Sequence, residues 1–226
     1  MIRVTGDTHG EEIRFYEENM VGEHSWTKDD YLMICGDFGY IFRNSPYERI
    51  FLDKLEEKPY TICFVDGNHE NFPAIYEYPK EKWNGGYVHR IRKNIVHLMR
   101  GQVYTIEGKT FFTMGGGYSR DRMYRKPGVS WWPQEMPSND EYREATQNLK
   151  EVGNRVDYIL SHTAPKEVVN RMNRTCDENE LELNGFFDWL MYEVEFKQWF
   201  FGHWHSDIGI DGGKFRAVWF DVCEIK

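Results

Sequence analysis

No stretch of this chain approaches the roughly 20 consecutive apolar residues that a membrane-crossing helix needs, so no membrane partner is expected. No export signal is expected either. Met1-Ile2-Arg3-Val4-Thr5-Gly6-Asp7 turns polar too soon for a secretory leader. Cysteine is sparse: Cys35, Cys63, Cys176 and Cys223 lie far apart and form no C-x-x-C pair. Cys35 and Cys63 fall inside apolar runs, so reduced, structural thiols are the expectation. Positive charge is in deficit, with 28 Lys and Arg against 37 Asp and Glu and a formal net charge of −9. Proteins that coat nucleic acid are usually basic, so nucleic acid is expected as a substrate at most. An acidic chain can still act on phosphate esters, because bound divalent cations reverse the local field. A cytoplasmic enzyme fits these deficits.

The chain does have core-forming mass. Hydrophobic residues make up 40% and aromatics 16% of 226 residues, which excludes disorder and suits a single domain over 1–226. No repeat, low-complexity tract or linker divides it.

The first half repeats one pattern: an apolar run, a polar loop, then a helix-like stretch. Ile2 to Thr5 runs into Gly6-Asp7-Thr8-His9-Gly10, Tyr31 to Cys35 into Gly36-Asp37-Phe38-Gly39-Tyr40, and Thr61 to Val65 into Asp66-Gly67-Asn68-His69-Glu70. The spacing of about 30 residues is that of a βαβ unit. Ligands of such sheets sit beyond the carboxyl ends of the strands, so Asp7, Asp37 and Asn68 should share one sheet edge. Ile13, Tyr16 and Met20 suggest a first helix. A capping box with proline at the first helical position, Ser45-Pro46-Tyr47-Glu48, opens a second, with Tyr47, Ile50, Phe51 and Leu55 as its apolar face.

Beyond residue 90 the runs shorten. Ile95 to Leu98, Val103 to Ile106 and Thr110 to Met114 read as strands, the last two as a hairpin. His89 to Lys93 and Arg100 read as a solvated strand face, and Asp66 as a turn residue. After Gly115-Gly116-Gly117, residues 118–137 form an irregular loop or small cap carrying Trp131-Trp132. Ser138-Asn139-Asp140-Glu141 caps another helix. Val156 to Leu160 and Gln198 to Phe201 are strands that end at His162 and at His203-Trp204-His205, with a helix through Leu183, Phe186, Phe187 and Leu190 between them. Asp211-Gly212-Gly213 turns between two last strands. Two packed sheets with helices outside account for this order.

The polar residues at the strand ends share one chemistry. Carboxylate, amide and imidazole donors of this mixture suit manganese, iron or zinc better than calcium or magnesium alone. D-x-H, G-D, G-N-H-E, a lone histidine and G-H-x-H follow in that order as Asp7-Thr8-His9, Gly36-Asp37, Gly67-Asn68-His69-Glu70, His162 and Gly202-His203-Trp204-His205. In this the chain resembles the calcineurin-like metallophosphoesterases, over nearly its whole length.

That resemblance implies an α/β fold, a four-layer αββα sandwich with two central mixed sheets. It implies two divalent ions, manganese first, with iron, zinc and magnesium as alternatives. Asp7, His9, Asp37 and His205 would hold one ion, and Asp37, Asn68, His162 and His203 the other. A bridging hydroxide would attack the phosphorus of a phosphodiester, such as a nucleotide or oligonucleotide, or of a phosphomonoester. His69 would bind the phosphate or protonate the leaving oxygen, so His69, Asn68 and Asp37 are the expected catalytic residues. Many relatives carry an Asp that orients this histidine where Tyr40 stands here. Arg120, Arg122 and Arg125 in the long loop are candidate substrate contacts, since guanidinium forks suit phosphate. The alternatives are a catalytically silent scaffold and a nucleic-acid-binding protein of the same fold. A scaffold typically loses ligands, and none is lost here.

Overall fold

The computed structural model describes residues 1–225. Its strands and α-helices are, in chain order, β1 (Ile2–Thr5), β2 (Tyr31–Cys35), α1 (Pro46–Glu56), β3 (Thr61–Val65), α2 (Phe72–Tyr76), β4 (Lys80–Trp83), β5 (Gly86–Arg92), β6 (Ile95–Leu98), β7 (Gln102–Ile106), β8 (Lys109–Met114), α3 (Asn139–Glu151), β9 (Tyr158–Ser161), α4 (Lys166–Arg171), α5 (Leu181–Glu193), β10 (Gln198–Phe201), β11 (Ile208–Ile210), β12 (Phe215–Ala217) and β13 (Cys223–Ile225). One mixed sheet has the order β13-β1-β2-β3-β6-β5-β4, and the other β11-β12-β10-β9-β8-β7. The parallel central strands carry apolar residues on both faces because both faces are covered. Met33, Cys35, Cys63 and Val65 point inward to meet Phe111, Leu160 and Phe200 of the opposite sheet. Their neighbours Leu32, Ile34, Ile62 and Phe64 point outward and pack with Phe51, Leu52 and Leu55 of α1. On the far side Ile159, Trp199 and Phe201 pack with Leu149 of α3 and Leu183, Phe187 and Leu190 of α5. This is the expected αββα sandwich. Among the described residues no helix is long and apolar enough to cross a membrane.

Both capping boxes form. Ser45 Oγ accepts from the Glu48 amide while Glu48 Oε2 accepts from the Ser45 amide at 2.7 Å, and Ser138 and Glu141 do the same. Other details differ from expectation. Between β1 and β2 the chain makes only short 3-10 turns, at Glu12–Phe15 and Glu23–Ser25. Ile13 and Tyr16 are half exposed, and Phe15 and Met20 enter the core instead. Tyr47 and Ile50 of α1 also face solvent, the buried face being Phe51, Leu52 and Leu55. The edge strands β4 and β13 carry too little apolar alternation to be read from the sequence.

Asp66 and Arg100 are the largest departure. Neither is on the surface. Arg100 is 4% exposed and Asp66 1%. Arg100 Nε donates to Asp66 Oδ2 at 2.9 Å, and His97 Nε2 lies 3.1 Å from Asp66 Oδ1. Burial alone would raise the Asp66 carboxyl, but the Arg100 guanidinium and the His97 hydrogen bond hold it below the usual range. The same guanidinium donates to the carbonyls of Gln134 and Glu135 at 2.8 and 3.3 Å, which pins the long loop to the end of β3. Removing one partner of a buried pair strands the other charge. Arg100→Met should therefore lower the unfolding free energy by about 3–5 kcal/mol, measured by urea denaturation. A loss below about 1 kcal/mol, the range of an exposed ion pair, would show that the pair is not effectively buried.

Candidate metal centre

The two sheets lie with the carboxyl ends of β1, β2, β3, β9 and β10 along one edge, and every expected ligand leaves the sandwich there. Asp7 and His9 follow β1, Asp37 follows β2, Asn68 follows β3, His162 follows β9, and His203 and His205 follow β10. Backbone bonds join the loops across the edge: Asp7 N to Gly36 O at 3.1 Å, His9 N to Asp37 O at 2.7 Å, and Gly202 N to His162 O at 2.9 Å. Asp7, His9, Asp37, His203 and His205 all have positive φ, between 44° and 66°. Such backbone is uncommon outside glycine and clusters where function fixes a side chain. Gly36 has φ +84°, and a Cβ there would lie 2.1 Å from His162 Nδ1, so only glycine admits the imidazole.

The side chains form two groups that share Asp37. In one, His9 Nε2 lies 3.0 Å from His205 Nε2, and His205 Nε2 lies 3.8 Å from Asp7 Oδ1. In the other, Asn68 Oδ1 is 3.0 Å from both His162 Nε2 and His203 Nδ1, which are 3.2 Å apart. Asp37 Oδ2 is 3.6 Å from His9 Nε2, and Asp37 Oδ1 is 3.5 Å from His162 Nε2. Each carboxylate oxygen thus faces a different group. The ligand atoms of Asp7, His9 and His205 lie within 4.8 Å of one another, as do those of Asp7, Asp37 and His162.

These residues fit a pair of cations. His162 Nδ1 lies 2.9 Å from the carbonyl of Cys35, an acceptor, so Nδ1 carries a proton, and Nε2 lies 3.0 Å from Asn68 Oδ1, a second acceptor, so that a proton or a cation must stand at this nitrogen. Asn68 Nδ2 donates to Ser119 Oγ at 3.1 Å, which turns Oδ1 toward the same point. Asp7 Oδ2 is buried with no hydrogen-bond partner. Acceptor atoms converging in this way repel unless a proton or a cation sits among them. Burial pushes Asp7 up to about 8 and His203 well down. At Asp37 burial works upward, but His162, His69 and His9 together hold its carboxyl below the usual range. At His162 burial works downward, and Asp37 and Asp7 more than offset it. The carboxylates thus favour positive charge at this point.

His69 stands at the rim. Its amide donates to Asp37 Oδ1 at 2.7 Å, and its ring meets His9 edge-on at 5.1 Å. Burial, with a contribution from Arg125, lowers its pKa to about 4. Among the described residues no carboxylate hydrogen-bonds the His69 ring in place of the Asp missing at position 40, although the ligand atoms of His69, His9 and Asp37 lie within 4.8 Å of one another. Tyr40 is buried in the core, its hydroxyl donating to Glu11 O at 2.8 Å. The group against the imidazole is Arg125, whose Nη2 lies 2.8 Å from Nδ1 and 2.6 Å from Nε2. Of the loop arginines, Arg122 turns inward, contrary to the expectation that all three face substrate. It pairs with the buried Glu135 and lies over the Tyr118 and Trp131 rings. Arg120 donates to Thr175 O and lies over Trp204. Trp132 is buried against Phe42 and anchors the loop.

Several braces escaped sequence reasoning. Arg14, 1% exposed, donates to Asp7 O at 2.8 Å and Gly6 O at 3.1 Å. Glu70 accepts from Phe38 N at 2.6 Å, fixing the loop of Asp37. Glu180 lies 3.7 Å from His203 Nε2 and accepts from the Tyr118 amide at 3.0 Å. Glu70 closes the G-N-H-E motif, but its task on the Asp37 loop has no local signature, and Arg14 and Glu180 have none at all, since each acts across the fold on a loop far from it. A cleft of about 740 Å³ opens over Asp37, Asn68, His69, His203 and His205, walled by Tyr118, Arg120, Arg174, Trp204 and Trp219. Arg174 was not anticipated.

The chain belongs to the calcineurin-like phosphoesterase family, whose sequence model matches residues 1–207. Among solved structures it is similar to phosphopantetheinyl hydrolase from Mycobacterium tuberculosis, at 17% identity and a TM-score of 0.44, over 96% of this chain and 89% of that one. Likeness at that level carries no argument about substrate. A comparison with curated proteins gives no match.

The packing at Gly36 yields a test. Gly36→Ala forces a methyl into the His162 ring and strains a left-handed backbone. The purified variant should hold less metal and melt lower than wild type. Unchanged metal content and melting temperature would contradict the packing described.

Proposed function

We propose that this protein hydrolyses a phosphate ester with the help of two divalent cations, held at Asp7, His9, Asp37 and His205 and at Asp37, Asn68, His162 and His203. The observation that carries this reading is Asp37, whose two oxygens face separate clusters of imidazole, carboxylate and amide groups. Membership of a phosphoesterase family supports it. The mixed oxygen and imidazole donors favour manganese, with iron, zinc and magnesium as alternatives. When bound, such a pair neutralises charge on the phosphate and makes a nucleophile of water at neutral pH.

The chain's own residues do the rest. With its pKa near 4, His69 is neutral at physiological pH. A neutral imidazole accepts at one nitrogen and keeps its proton on the other. Arg125 Nη2 lies against both ring nitrogens; in this reading it donates to the one without a proton, and the other donates to a phosphate oxygen or to the leaving oxygen when substrate is bound. Arg125 therefore acts beside the scissile phosphate rather than beyond it. The cleft wall of Tyr118, Arg120, Arg174, Trp204 and Trp219 favours an ester with an organic group large enough to lie against aromatic and cationic side chains, as a nucleotide or oligonucleotide is. Hydrolysis separates this reading from a silent scaffold. Four free cysteines fit a reducing compartment such as the cytoplasm.

Treatment with chelator should abolish hydrolysis of bis-p-nitrophenyl phosphate and p-nitrophenyl phosphate, and manganese should restore it, with two ions per chain by metal analysis. Equal turnover without metal would overturn the proposal. Asp37→Asn should be the most damaging ligand change and should lower the content of both ions, because an amide is a poor bridge. His69→Ala should retain metal and lose roughly 10²–10⁴-fold in turnover. Arg125→Ala should weaken hydrolysis of large and small esters alike. An effect confined to a large ester would return Arg125 to a contact distant from the reacting phosphorus.

A further inference from the structure

Asn68 is the one proposed ligand with two opposite faces. Its carboxamide oxygen can face a cation, and its amino group cannot. Something must therefore choose between two orientations of nearly identical shape. The choice is made by hydrogen-bond polarity. Ser119 Oγ lies 3.1 Å from Asn68 Nδ2 and 2.7 Å from Glu135 Oε2. The Ser119 hydroxyl has a single proton, and the Glu135 carboxylate, which can only accept, takes it. What Ser119 then presents to Asn68 is a lone pair. Only the amino group of Asn68 satisfies it, so the carboxamide oxygen turns to His162 and His203, 3.0 Å from each.

The relay depends on Glu135 staying charged. Glu135 is fully buried and Ser119 is 1% exposed. Burial raises the Glu135 carboxyl, and hydrogen bonds from Ser119 and the Arg122 guanidinium oppose that rise. Oε1 accepts from the Ser119 amide at 3.2 Å and from Arg122 Nε. The carbonyls of Gln134 and Glu135 are held by Arg100, so the carboxylate cannot drift from Ser119.

We infer that Glu135 and Ser119 are positioning residues that set the orientation of the Asn68 amide, and through it the affinity of the ion shared by Asn68, His162 and His203, with Arg122 keeping Glu135 an acceptor. This rests on the two-ion reading above. It gives Arg122 a task on the protein side of the site instead of the substrate side.

Glu135→Gln tests it without removing an atom. The Ser119 amide and Arg122 both donate at the Oε1 position, so glutamine must keep its oxygen there and place its amino group at Oε2. That amino group donates to Ser119 Oγ, and the hydroxyl proton turns either to the carboxamide of Asn68, 3.1 Å away, or to its backbone carbonyl at 3.4 Å; the shorter contact wins in this proposal, and the carboxamide is driven to flip. Metal-free protein titrated with manganese, followed by calorimetry and by the electron spin resonance of bound manganese, should show two ions for wild type. In Glu135→Gln the affinity of one ion should fall roughly 10–100-fold, the usual effect of losing an outer partner of a ligand. The ion at Asp7, His9 and His205 should be retained. Ser119→Ala, a smaller perturbation, should give a smaller loss at the same ion and guards against misfolding of the first variant. In an Asn68→Asp background both oxygens are equivalent, so the effect of Glu135→Gln should shrink. Equal weakening of both ions, or wild-type affinity in Ser119→Ala and Glu135→Gln, would overturn the inference alone. Uptake of fewer than two ions by wild type would overturn the two-ion reading and the inference with it.

Discussion

Everything at the edge of this sandwich is organised around the position of Asp37, which is buried and has His9 and His162 on opposite carboxylate oxygens. Five of the residues gathered there adopt left-handed backbone. At a cost on the order of 1 kcal/mol each, that conformation persists only if the surroundings over-determine it. The sandwich supplies the over-determination. Its inner strands are buried on both faces, so their ends cannot slide, and the loops are stitched together by backbone hydrogen bonds across the edge. The left-handed turns after β1, β2 and β10 are how five parallel or neighbouring strands bring their side chains to one point.

A second layer of buried ionisable side chains holds the first in place. Arg14 grips the carbonyls beside Asp7, Glu70 the amides after Asp37, Arg100 the end of β3, Glu135 the support of Asn68, and Glu180 the far side of His203. Charged residues are almost never fully buried unless paired, yet each of these is at most 4% exposed. Their common feature is that each braces a loop carrying a proposed ligand, Glu135 doing so through Ser119. The long loop over residues 118–137 belongs to this layer as much as to the cleft. Its Ser119, Arg122 and Glu135 face the protein, Arg125 faces His69, and Arg120 remains on the cleft wall.

Legibility in the sequence followed the range of the interaction. The strand ends at Thr5, Cys35, Val65 and Phe201 were readable because an apolar run buried on both faces stops abruptly at glycine and a polar residue. The capping boxes at Ser45 and Ser138 were readable because their partners lie three residues away. The expected helix at Ile13 was not formed, since Arg14 and Phe15 are drawn into the protein and leave Ile13 and Tyr16 outside. Arg100 and Asp66 were misread because a charged residue in a polar stretch looks solvated until its partner, 34 residues away, is known. The inward turn of Arg122 depends on Glu135, and nothing local marks that pairing.

The central claim is that Asp37 stands between two ions. Crystals of the protein soaked with manganese, with diffraction collected on both sides of the manganese absorption edge, test it directly. The account predicts two anomalous peaks about 3.5–4 Å apart, one beside Asp7, His9 and His205, the other beside Asn68, His162 and His203, with Asp37 between them. A single peak, or peaks that leave Asp37 without contact to both, would contradict it.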